Sequence, residues 1–257
     1  THALLTPDDP RQVDLLSSQV FSGEGNPFLL GQLVDALGKP IDTLNKAQTF
    51  AAWAIVHKMQ IVQTPSGLVQ RIELALDANH KQVRAAKFAR YIQAAADEFN
   101  LDANLLYAIM ETESHFNPFA ISRTGALGLM QIMPERAGRD AMKLLTGVNR
   151  APTQAELTDP QTNIRLGAAY LALLQGHYLK AIDHPRSREY AVIAAYNGGA
   201  SRAMSVFAAD QSQAVRSINA LAPQMVYDSL RKKHQSAETR GYVQKVTEAK
   251  KRYSTRV

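Results

Sequence analysis

The chain has 257 residues, 46% of them hydrophobic and 20% charged, with no cysteine and a formal net charge of +6. Its length suffices for two ordinary domains, and no apolar run is long enough to cross a bilayer. The missing cysteines exclude disulfides, thiolate metal sites and thiol nucleophiles, and the basic excess suits an anionic partner.

The sequence starts at Thr1 with neither methionine nor leader. It reads as a processed form of a longer precursor, with any signal peptide or lipid-bearing cysteine upstream. Residues 1–80 read as a small, partial α+β domain. Turn chemistry at Pro7–Pro10 and a loop at Gly23–Pro27 lead to an expected strand over Phe28–Val34 and a turn over Asp35–Pro40. Thr49–His57, with the only tryptophan, Trp53, reads as a short helix. Met59–Gln63 and Leu68–Leu76 flank Thr64-Pro65-Ser66-Gly67 in the pattern of a hairpin. Nothing in this segment carries chemistry.

Residues 81–257 read as helical almost throughout. Gln82–Glu98 is alanine-rich and amphipathic, and Asp102 is an N-cap for the next helix. On a wheel of about 100° per residue, Leu105, Leu106, Ile109 and Met110 fall within about 140°, with Glu113 near the middle and Glu111 opposite. Glu111 is therefore expected at the surface. A carboxylate on an apolar face has its pKa raised by desolvation, as a general acid near neutral pH requires. The competing view is that Glu113 sits at a fraying helix end before Pro118 and reaches solvent.

A glycine loop follows, Gly125-Ala126-Leu127-Gly128-Leu129-Met130-Gln131-Ile132-Met133-Pro134. Its glycines suit positive φ or close approach to a ligand. Gln131 reads equally as a sugar hydrogen-bonder or as the amide of a tight turn bonding its own backbone. Pro134 starts a helix toward Leu145, residues 146–158 form a polar connection, and Asp159-Pro160 opens a helix through Tyr178. Ser187–Tyr196 is stopped by Asn197-Gly198-Gly199. Short helices follow over Ala200–Ala208, Ala214–Ala220 and Gln224–Lys232, and Ser236 caps a last one to about Tyr253.

Tyr196-Asn197 projects a phenol and an amide together, although a tyrosine at a helix end is ordinarily packing with its hydroxyl wet. Glu238, Arg240 and Tyr242 open the last helix, where the dipole alone accounts for a glutamate. His57, His80, His115, His177, His184 and His234 show no metal-ligand spacing, so no metal and no cofactor are expected. Arg231-Lys232-Lys233-His234 reads as a solvated face, with no nucleic-acid partner.

Three blocks then occur in order: Glu113-Ser114 with the glycine loop, Ala195-Tyr196-Asn197-Gly198-Gly199, and Glu238-Thr239-Arg240-Gly241-Tyr242-Val243. Together they resemble the soluble-lytic-transglycosylase family of murein-cleaving enzymes. Pro27-Phe28-Leu29 and Gly31–Asp35 resemble, more weakly, the end of the N-terminal domain of the membrane-bound lytic murein transglycosylase C family. The resemblance implies a mainly α protein with a lysozyme-like helical catalytic domain, acting on peptidoglycan glycan strands. It implies Glu113 as the single catalytic acid, then base, and Ser122, Met130, Gln131, Met133, Tyr196, Asn197, Glu238 and Tyr242 as substrate-binding residues. It further implies a monomer in the periplasm, held at the outer membrane by a lipid anchor upstream of Thr1. A goose-type hydrolytic muramidase and a non-catalytic murein-binding module are the alternatives. A hydrolase needs a second carboxylate to activate water, and the loop offers none between Ile121 and Met133.

Overall fold

A computed structural model of the chain describes residues 31–65 and 67–254. The expected turns at Pro7–Pro10 and Gly23–Pro27, and the start of the strand at Phe28, lie outside the described residues. The chain divides into two compact units, residues 1–87 and 88–257.

In the first unit, α1 (Leu44–Lys58) starts five residues before the sequence suggests, because the Thr43 hydroxyl accepts from the Lys46 amide and caps it. Phe50 buries against Leu33, Ile41 and Ala47, with Trp53 and Leu74 packed alongside. The hairpin forms as β1 (Met59–Thr64) and β2 (Gly67–Ile72), antiparallel, with Met59 opposite Ile72 and Thr64 opposite Gly67. β2 ends short of Leu76, which makes a single bridge to Leu33, and the described part of the expected Phe28–Val34 strand forms isolated bridges only. The unit closes with α2 (His80–Lys87).

The helix expected over Gln82–Glu98 is interrupted at Phe88, whose backbone (φ −106°, ψ 1°) leaves the helical region. The second unit begins there, with α3 (Ala89–Phe99) and α4 (Ala103–Ser114). Asp102 caps α4 by accepting from the Asn104 amide at 2.9 Å. His115 ends it in the left-handed region, and the Phe116 amide reaches back to the Met110 carbonyl.

Beyond the glycine loop, a π turn (Pro134–Gly138) leads into α5 (Arg139–Thr146), and α6 (Gln154–Thr158) occupies the end of the expected polar connection. Next come α7 (Pro160–Leu173), which Asp159 caps as expected, and a second π turn (Leu174–Tyr178). α8 (Pro185–Gly198), α9 (Ala200–Ser205), α10 (Gln211–Asn219), α11 (Pro223–Lys233) and α12 (Ala237–Ser254) complete the unit. α7 packs on α3 and α5, while α12 packs along α4, α8 and α11.

Two expectations about surface exposure also fail. Glu111 is buried, 8% exposed, because α12 covers the side of α4 that the wheel left to solvent; its carboxylate accepts from Arg252 and Tyr253. His234 is buried too, folded over Gly198, where an added Cβ would stand 3.0 Å from the imidazole.

The glycine loop is fastened to α7 by Asn163, which is 1% exposed. Its side chain accepts from the Met130 amide (2.8 Å) and donates to the carbonyls of Leu127 (3.0 Å) and Leu157 (2.8 Å). Gly128, at φ 78°, must lack a Cβ because one would lie 2.3 Å from the Asn163 amide nitrogen. Asn163→Ala strands these backbone groups inside the protein, so a loss of about 3 kcal/mol is expected. Thermal unfolding should show Tm lowered by roughly 10 °C; a fall of less than about 2 °C would mean the clamp contributes little.

Candidate active site

Glu113 stands on the last turn of α4, and the next residue ties that turn to the loop. The buried Ser114 hydroxyl donates to the Leu129 carbonyl at 2.7 Å and lies 3.2 Å from that of Met110. The loop closes on itself: Leu127 and Ile132 exchange backbone hydrogen bonds at 3.0 Å, and the Ala120 carbonyl accepts from Gly128 at 2.9 Å. Gln131 adopts φ 48°, and its amide nitrogen donates to the carbonyls of Ala120 (3.0 Å) and Gly128 (2.9 Å). The NH2 group thus serves the turn, and the amide oxygen is the part left for a ligand. The Ser122 hydroxyl accepts from the Ala126 amide (2.8 Å) and pairs with Thr124 (3.0 Å).

Two further segments meet this corner. At the end of α8, the Tyr196 hydroxyl donates to the Met130 carbonyl at 2.9 Å, and its ring centroid lies 5.7 Å from that of Tyr170. Asn197 is held at both ends of its amide: its oxygen accepts from the Thr239 hydroxyl at 2.7 Å, and its nitrogen lies 3.4 Å from the exposed Glu238 carboxylate. On α12, one turn after Glu238, Tyr242 is buried with its hydroxyl facing the Glu113 carboxyl, close enough to influence it but outside hydrogen-bond geometry with any described residue.

The electrostatics follow from this packing. Glu113 is half-buried as a residue, but protein surrounds its carboxyl, and the lost hydration raises its pKa from 4.5 to about 7. The Tyr242 hydroxyl pulls it back in part, and the negative charge of Glu238 adds a smaller push upward. Burial and then Glu113 itself hold the phenols of Tyr196 and Tyr242 well above their ordinary range. Both are neutral donors at any working pH. The site therefore offers one carboxyl able to give a proton and take one back near neutrality, with polar groups fixed around it.

Glu113, Tyr196, Asn197, Glu238 and Tyr242 converge, although α8 and α12 follow α4 by many residues. Met133 and Ser122 are half-buried on the loop. Met130 needs correction: its side chain is fully buried in a notch at Gly167, where a Cβ would stand 2.3 Å from its sulfur. It cannot line an open groove, and its carbonyl acts instead as the seat of Tyr196. Sequence reasoning missed Thr239 and Asn163. Thr239 lies between two named residues of the last block, and Asn163 is a lone amide among Ile164, Leu166, Ala168 and Ala169. Among the described residues no cluster of histidine and acidic side chains could hold a metal.

Comparison with known proteins gives this geometry its context. Residues 90–219 match the transglycosylase SLT domain, and residues 1–87 match the N-terminal domain of membrane-bound lytic murein transglycosylase C. The membrane-bound lytic murein transglycosylase C of Photorhabdus laumondii is 43% identical over 251 residues, covering 97% of this chain and 70% of that protein. The protein of the same name from Shigella sonnei is 41% identical over 254 residues, covering 98% and 70%. Among solved structures, an inactive mutant of the lytic transglycosylase Slt from Pseudomonas aeruginosa matches with a TM-score of 0.51 and 30% identity, over 65% of this chain and 24% of that one. A 70-kDa soluble lytic transglycosylase in complex with bulgecin A matches at 0.52 and 25% identity, over 69% and 26%. The chain thus spans about a quarter of the length of these solved enzymes. The second unit has their lysozyme-like helical fold, and the chain belongs to the membrane-bound lytic murein transglycosylase C family.

Proposed function

We propose that this chain cleaves the β-1,4 bond between N-acetylmuramic acid and N-acetylglucosamine in peptidoglycan without water, leaving 1,6-anhydromuramyl ends. The observation that carries the reading is the single carboxyl of Glu113, raised to about 7 and flanked by two neutral tyrosines. The family's name supplies the substrate, since the curated relatives are called lytic murein transglycosylases. The Slt structure is in keeping with an essential glutamate, being an inactive mutant in which one glutamate is replaced by glutamine.

Glu113 gives its proton to the glycosidic oxygen as the bond to the muramyl C1 breaks, so the leaving sugar departs as an alcohol. The muramyl N-acetyl oxygen supports the positive charge at C1. The Glu113 carboxylate then takes the proton of the muramyl O6 hydroxyl while O6 bonds to C1, which restores the acid and consumes no water. Tyr242 donates to the carboxylate between the two steps. Ser122, the Gln131 amide oxygen, Met133, Tyr196, Asn197 and Glu238 line the glycan path, and Met130 acts only through its carbonyl. The envelope is the setting that the relatives' name implies, and an outer-membrane anchor upstream of Thr1 with a monomeric enzyme in the periplasm completes the proposal. No described helix is long and apolar enough to cross a membrane.

Three outcomes follow. Glu113→Gln abolishes clearing of a murein suspension while glycan binding persists, because it removes the proton and keeps the shape; wild-type clearing would refute the assignment. Digestion of purified murein in heavy-oxygen water leaves the new muramyl ends unlabelled and lighter by one water, whereas label at those ends would indicate the hydrolytic muramidase.

The third concerns stability. A carboxyl whose folded pKa is raised makes the native state bind more protons than the unfolded chain, so this group's contribution to stability is fully present below about 4.5 and is lost as pH rises through about 7. Glu113→Gln removes that loss. It should stabilise the protein by about 3 kcal/mol near pH 8 and by less than about 1 kcal/mol near pH 5, read from denaturant unfolding at the two pH values. An equal effect at both would contradict the raised pKa.

A further inference from the structure

Glu111 is a second buried carboxylate on α4 that the chemistry above does not use. It accepts from the Arg252 guanidinium at 3.0 Å and from the Tyr253 hydroxyl at 2.9 Å, both on the last turn of α12. The Tyr253 ring stacks on Tyr107 of α4, with centroids 5.1 Å apart and planes 21° from parallel. Nearby, Lys250 of α12 pairs with Asp102 at the start of α4 at 2.8 Å. The same helix α12 presents Tyr242 to Glu113 near its other end. Tyr242 and Tyr253 are separated by about 16 Å along α12, so two well-spaced points of α12 meet two neighbouring residues on opposite sides of α4.

These two contacts act on rotation. Glu111 and Glu113 point about 200° apart around α4, so fixing the azimuth of one fixes that of the other. With side-chain ends about 6 Å from the helix axis, a turn of only about 10° moves a carboxyl by about 1 Å, enough to break a hydrogen bond. Packing resists such a turn without direction, and a buried carboxylate held by directional donors adds an angular restraint, because bending or losing those bonds is costly for a desolvated charge. An apolar residue in place of Glu111 could fill the space but would not define the angle.

We propose that Glu111 is a positioning residue for the transglycosylase reaction: with Arg252 and Tyr253 it sets the rotation of α4 against α12 and so holds the Glu113 carboxyl at the Tyr242 hydroxyl. This inference rests on the assignment of Glu113 made above. The residue that carries the chemistry and the residues that aim it are thereby joined through the far end of the chain.

The test is a double-mutant cycle on murein with the full chain, using Tyr253→Phe, Tyr242→Phe and the pair together, with Glu111→Gln as a second route to the same contact. Tyr253→Phe removes one hydroxyl from a half-buried ring and should leave the protein folded. It is expected to lower kcat about tenfold with KM changed less than about twofold, since misplacement of a catalytic group costs turnover rather than binding. Glu111→Gln should do the same. In the Tyr242→Phe background, Tyr253→Phe should change kcat by less than about twofold, because the contact it aims is already gone. An equal loss of kcat in both backgrounds, or a fall in Tm with kcat unchanged, would show that the contact is structural and overturn the proposal. Failure of the underlying assignment is separate, because Glu113→Gln would then retain activity whatever the cycle shows.

Discussion

The structure depends on keeping one carboxyl out of water at the end of α4. Ionised, Glu113 would lack the hydration it has in the unfolded chain, and the protein makes up only part of that through the Tyr242 hydroxyl. The surrounding features follow from this requirement. The glycine loop must fold tightly enough to wall off the carboxyl, which takes the Asn163 clamp and positive φ at Gly128 and Gln131. Tyr196 must be seated without ionising, which the Met130 carbonyl achieves by accepting its hydroxyl. α12 must cross α4 so that Tyr242 arrives from one side while Arg252 and Tyr253 hold Glu111 on the other.

Charge is distributed unevenly around this centre. Glu113 and Glu111 stand two residues apart, yet one is held without a full counter-charge and the other is matched to an arginine and a phenol. Burial tunes Glu113 toward neutrality. Glu238, the carboxylate that most nearly forms a pair with Glu113, is exposed and placed against the Asn197 amide. Its effect on Glu113 is a modest upward push. A muramidase that delivers water would require a second carboxylate aimed at that water, and an exposed group engaged with an amide is poorly arranged for that task.

The parts of the fold legible in the sequence are those written in short-range chemistry. Asp102 and Asp159 cap their helices because a carboxylate can accept from an amide two or three residues on, and Gly199 ends α8 because it reaches φ 88° without strain. Glu113 was legible as the one acid on an apolar face. Glu111 was not, because the wheel assumes one wet side, and α4 is covered on both. His234 was hidden for a related reason: it closes a basic run whose other members stay at or near the surface, but α11 ends there and the ring folds onto Gly198. Met130 shows the limit of a motif, since a residue can belong to the pattern through its backbone carbonyl alone. The break at Phe88 has no glycine or proline to mark it, and the amphipathic pattern runs through it.

The proposed chemistry stands on the protonation of Glu113 near neutral pH. Titration of its side-chain carboxyl, followed by carbon NMR on the free protein with Glu113 identified by its absence from the Glu113→Gln variant, measures this directly. A midpoint of about 7 is predicted; a midpoint near the ordinary value of about 4.5 would contradict the account.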